Sequence, residues 1–84
     1  VKAVDHGAAL LDERLPGWRR VIDPDGLELR HCSECILGQL FGDYDRGLQA
    51  LGLSEDDAST HGFYRPARST WERLNAAWRK VLAS

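Results

Sequence analysis

His31-Cys32-Ser33-Glu34-Cys35 is the stretch of this chain whose residue types and spacing could do chemistry. Two thiolates at CxxC spacing can share one zinc ion, but a structural zinc takes four ligands. The chain holds only these two cysteines and three histidines, His6, His31 and His61, each on its own. No second CxxC and no HxxxH completes a set, so no metal site is expected. A helix beginning near Cys35 would lower a thiol pKa, as in redox dithiols, yet those belong to a βαβ framework with no counterpart here. The economical reading makes Cys35 a small buried apolar side chain and leaves Cys32 just outside the helix. Nucleophilic and phosphate chemistry have less support still. There is no serine elbow, no HExxH and no phosphate loop. Asp5-His6 and Thr60-His61 are isolated pairs, of a kind any chain with three histidines would show. No enzyme, no cofactor and no metal is the expectation.

The elements that would position any such group must fit in 84 residues, one domain spanning 1–84. A chain of this size buries only roughly 60–65% of its unfolded surface, which leaves no room for a deep, fully walled catalytic cleft. Val4, Ala8, Leu11 and Leu15 recur at helical steps, and Pro16-Gly17 ends that helix. Trp18, Val21 and Ile22 form a short helical turn with Arg19 and Arg20 outside. Asp23-Pro24-Asp25-Gly26 is a turn. Leu27-Glu28-Leu29-Arg30 alternates apolar and charged, a short extended piece with no second strand nearby.

Ser33 reads as the N-cap of a helix from Glu34. Leu37, Leu40, Phe41, Tyr44, Leu48 and Leu51 continue a stripe that fits either one helix to Leu51 or two pieces broken at Gly42-Asp43 with Asp43 capping the second; the glycines at 38, 42 and 47 favour the break. Cys35, Ile36, Leu37, Leu40 and Phe41 are expected in the core. Gly38-x-x-x-Gly42 reads as a face where another helix approaches closely. Gly52 sits at a C′ position. Ser54 and Asp57 make a capping box for a short helix that stops by His61-Gly62. Phe63 to Pro66 is loop. Ser69 and Glu72 make a second capping box, and Trp71, Leu74, Trp78, Val81 and Leu82 are the inner face of the last helix. The expected fold is all-α: four or five short helices joined by Gly/Pro turns, with most aromatics as core anchors.

The net charge of −2 gives no general pull toward nucleic acid or membrane, and no apolar run approaches a membrane span. The amino end is polar and carries Asp5 and His6, so no signal peptide is expected. With Val1 first and no Met anywhere, the translation start is expected upstream or removed. Charge is nevertheless segregated. Asp43 to Asp57 holds five acids and one base; Arg65 to Ser84 holds five bases and one acid. The basic residues Arg65, Arg68, Arg73, Arg79 and Lys80 could touch phosphates, but the adjoining acidic segment is expected to neutralise them on an internally paired surface.

The run Gly17-Trp18, Ile22-Asp23, Leu27, Leu29, Cys35-Ile36-Leu37-Gly38-Gln39-Leu40-Phe41-Gly42-x-Tyr44, Gly47-Leu48, Leu51-Gly52-Leu53 and His61-Gly62-Phe63 resembles a group of small uncharacterised proteins of mycobacteriophages and related actinobacterial genomes. The likeness runs from about Ala8 to Trp78, and nine arginines against two lysines suit such a GC-rich source. The resemblance implies origin rather than activity and brings no site residues with it. Members of the group vary just before Cys35, which speaks against a metal role for Cys32. Two function classes are expected. The first is a phage-type or prophage-derived accessory protein in the cytoplasm of the bacterial host, binding a host or phage protein. Its contacts would be Trp18 with Arg19 and Arg20, or Tyr64 with Arg65, because aromatics and arginine anchor interfaces. The alternative is a nucleic-acid-binding regulator that uses the basic carboxy-terminal helix.

Overall fold

The all-α expectation holds. The computed structural model describes residues 2–84, and among these no strand forms. Six helices follow one another: α1 (Lys2–Arg14), α2 (Trp18–Val21), α3 (Ile36–Phe41), α4 (Tyr44–Leu51), α5 (Glu55–Thr60) and α6 (Trp71–Ala83). The sixth is the α2 turn, a single helical turn beside the five longer pieces expected once the stripe breaks at Gly42. That break is decisive: Gly42 takes φ 99°, and the Asp43 carboxylate accepts from Arg46 N at the start of α4. Gly52 closes α4 in the left-handed region, and Ser54 and Asp57 form the reciprocal box that starts α5.

Two caps fall elsewhere than expected. Cys35, not Ser33, is the N-cap of α3. Its sulfur accepts from Gly38 N at 3.2 Å. His31 O accepts from both Glu34 N and Cys35 N, which ties Ser33 and Glu34 into a preceding turn and delays the helix. Thr70, not Ser69, caps α6, its hydroxyl accepting from Arg73 N at 3.1 Å.

One core joins the apolar faces of α1 (Val4, Ala8, Leu11), α3 (Ile36, Leu37) and α6 (Leu74, Trp78) to Leu27, Leu29 and Phe63 from the loops. Phe63 stacks on Trp78 at 5.6 Å between centroids, and Trp18 meets Trp78 edge-on at 5.9 Å. Both buried indoles are satisfied: Trp78 Nε1 donates to Gly62 O and Trp18 Nε1 to Asp12. Burying these rings supplies much of the driving force in so small a core. Leu40 and Phe41 are only half-buried, against expectation. α3 is too short to turn its whole stripe inward. The pairing of Gly38 with Gly42 on one helix face also fails. Gly38 lies under the backbone of Cys32 and Ser33, and Gly42 is exposed beyond the helix end. The close helix approach is at Gly47 instead, where an added Cβ would sit 2.6 Å from Leu37 Cβ.

The segment between α2 and α3 has no strand partner, and buried or half-buried backbone groups must still be satisfied. Side chains from two helices do this. Gln39 bonds both N–H and C=O of Asp23. Asn75 accepts from Leu29 N at 2.8 Å and donates to the Glu28 carboxylate, which this bond holds below the usual carboxylate range. Arg79 donates to Pro24 O and Leu27 O.

Candidate functional site

The break at Gly42 turns α4 so that Tyr44, its first residue, stands at the edge of the core rather than inside it. The loop after α5 carries Tyr64 to the same edge, and the first residue of α6, Trp71, completes the group. Tyr44 and Tyr64 lie 6.3 Å apart between centroids with their planes tilted by 51°, so the rings form an open corner. Tyr64 meets Trp71 edge-on at 5.2 Å. Tyr64 is 46% exposed, one of the large apolar side chains most open to solvent.

Two clefts share the tyrosine pair. One, of about 320 Å³, is lined by Tyr44, Tyr64, Ser59, Glu55 and Asp56. The other, of about 190 Å³, is lined by Leu29, Arg30, Cys32, Tyr44, Tyr64 and Trp71 and is mostly apolar. Electrostatically the two differ. Arg30 at the second is already paired with Glu28 at 3.7 Å and Glu72 at 3.3 Å. Glu55 and Asp56 at the first make no ion pair among the described residues. Burial, and after it the nearby Glu55 carboxylate, pushes the Tyr44 phenol up to about 12. Tyr44 is therefore a neutral aromatic wall at any physiological pH.

The five residues expected to contact a partner fare differently. Trp18 is 2% exposed, a core residue. Its indole is needed between α1 and α6. Arg19 is tied to Asp12 at 3.2 Å and lies 5.3 Å from the Trp18 ring centroid. Arg20 is exposed. Arg65 is half-buried and donates to Ser69 O at 2.9 Å, which closes the loop before α6. Tyr64 alone stands in an open aromatic group. A shallow apolar cleft does lie beside Trp18, lined by Leu15, Val21, Leu40 and Phe41 among others, but no charged group lines it. The partners of Tyr64 escaped sequence reasoning. Tyr44 and Trp71 sit on apolar stripes like any core residue, and their position at the ends of helices was the one available signal.

The CxxC pair is split by its environment. Cys35 is buried with its thiol pushed up by desolvation, and Cys32 is exposed. No group of three His, Cys, Asp or Glu side chains converges among the described residues. The expected neutralisation of the basic end by the acidic segment does not occur through ion pairs: none joins Asp43–Asp57 to Arg65–Ser84. Among the described residues, no helix is long and apolar enough to cross a membrane. No family model, curated protein or solved structure matches this chain.

Proposed function

We propose that this chain is a small accessory protein that binds another protein and performs no catalysis, with the face of Tyr44, Tyr64 and Trp71 as its contact surface. The observation that carries the reading is this aromatic group left open between two clefts, in a chain whose other large rings are mostly spent in the core. Aromatic side chains supply large contact area at low entropic cost and dominate binding hot spots. The resemblance to mycobacteriophage and actinobacterial proteins supports a phage or prophage origin, with the partner a host or phage protein in the cytoplasm of the bacterial host.

A nucleic-acid-binding regulator is the second reading. Arg68, Arg73 and Lys80 favour it, since they make no ion pair among the described residues. It is weakened by Arg79 and Arg65, whose guanidinium groups are engaged by backbone carbonyls, and by the net charge of −2. Affinity capture from mycobacterial lysate, with and without nuclease, separates the two. The protein-binding reading expects a partner that survives nuclease and is lost with Tyr64→Ala. A partner lost on nuclease treatment, or retained by Tyr64→Ala and lost with Arg73→Ala, would favour the regulator.

A further inference from the structure

We propose that the partner presents an arginine, and that its guanidinium enters the cleft walled by Tyr44 and Tyr64 to pair with Glu55 and Asp56. This rests on the protein-binding reading above and names the chemistry of its occupant.

The cleft has two kinds of wall. The tilted tyrosine rings offer π-faces in an open corner, and a cation within roughly 6 Å of a ring centroid is attracted by the ring quadrupole. Glu55 and Asp56 line the same space and are free of ion pairs among the described residues. A guanidinium uses both walls at once. Its plane lies on an aromatic face while its edge donates two parallel bonds to a carboxylate. An ammonium is a compact, strongly hydrated charge that offers neither the flat face nor the paired donors. The space of about 320 Å³ is ample for one such head group with part of its stem. Across the tyrosines lies the apolar cleft of about 190 Å³, which suits an apolar side chain neighbouring that arginine. Arg30 at its rim does not oppose the incoming charge, because Glu28 and Glu72 already balance it.

A random twelve-residue displayed peptide library, selected on the immobilised protein, tests this. The comparison proteins are Tyr64→Ala and the double variant Glu55→Gln/Asp56→Asn, whose side chains are exposed, with helix content checked by circular dichroism. Asp57 is kept, because its carboxylate accepts from Ser54 N at 3.0 Å in the α5 cap. The expected result is enrichment of peptides with arginine beside an apolar residue, absent on both comparison proteins. A synthetic copy of an enriched peptide with citrulline in place of arginine should then bind about tenfold more weakly or worse, as loss of a charge-assisted, ring-stacked contact implies. Enriched peptides without arginine, or undiminished binding to Glu55→Gln/Asp56→Asn, would overturn the arginine and leave the protein-binding surface standing. No enrichment above that on Tyr64→Ala would overturn both.

Discussion

Asn75 joins α6 to the strandless segment by one amide: its oxygen accepts from Leu29 N and its nitrogen donates to Glu28. Asn75→Ala would leave the buried Leu29 N–H with no partner. A loss of about 1–3 kcal/mol is expected from the chemical denaturation midpoint, the usual cost of orphaning a buried polar group. Nothing in the sequence sets Asn75 apart from the other polar positions of α6. Its role depends on a loop 46 residues away in sequence meeting it, and helical periodicity carries no information about that. Tyr44 gives a pH prediction at the same scale. Its folded pKa of about 12 lies above its ordinary 10.0, so folding disfavours the phenolate. The stability it contributes is complete below about pH 10 and declines as pH rises from there through about 12. Tyr44→Phe should flatten that decline in thermal melts taken across the alkaline range.

The helices were legible where a local signal set them and not where tertiary contacts did. Asp43, Gly52 and the Ser54–Asp57 box announce their ends through side chains next in sequence, and α4 and α5 begin where those residues indicate. The start of α3 moved from Glu34 to Ile36 because the turn on His31 O competes with Ser33 capping. The stripe through α3 gave the right face but not its depth. Leu37, fully buried between α3 and α4, and Leu40, half-buried at the rim, look alike in the sequence. Leu37→Ala is therefore expected to cost about 2–5 kcal/mol by denaturant unfolding, as large-to-small core changes do. Leu40→Ala should cost clearly less, because solvent already reaches its site. Equal losses would show that α3 packs more deeply than described. The same limit hid the candidate surface: Tyr44 and Trp71 belong to apolar stripes, and only tertiary packing shows that both stand half-buried at the core edge beside the exposed Tyr64.

At the scale of the whole molecule, hydrophobic burial around Trp78 organises the fold, and the ion pairs lie on the surface. Exposed pairs such as Arg19–Asp12 contribute about 0–1 kcal/mol each. Folding is expected not to depend on metal, the motive being two cysteines in unlike environments and no converging metal-ligand group among the described residues. Excess chelator should leave the far-UV circular dichroism spectrum unchanged; helix lost on chelation and restored by zinc would show a metal-dependent fold. The opposed charges stay segregated rather than paired, which leaves acids beside the open tyrosines and three basic side chains along and before α6 for competing partners. The most direct test places benzoylphenylalanine at position 64 or at position 73 of the protein expressed in a mycobacterial host, followed by irradiation and analysis of the adducts. A discrete protein adduct is expected from position 64 and none from position 73. Nucleic acid crosslinked from position 73, with nothing captured at position 64, would contradict the protein-binding reading.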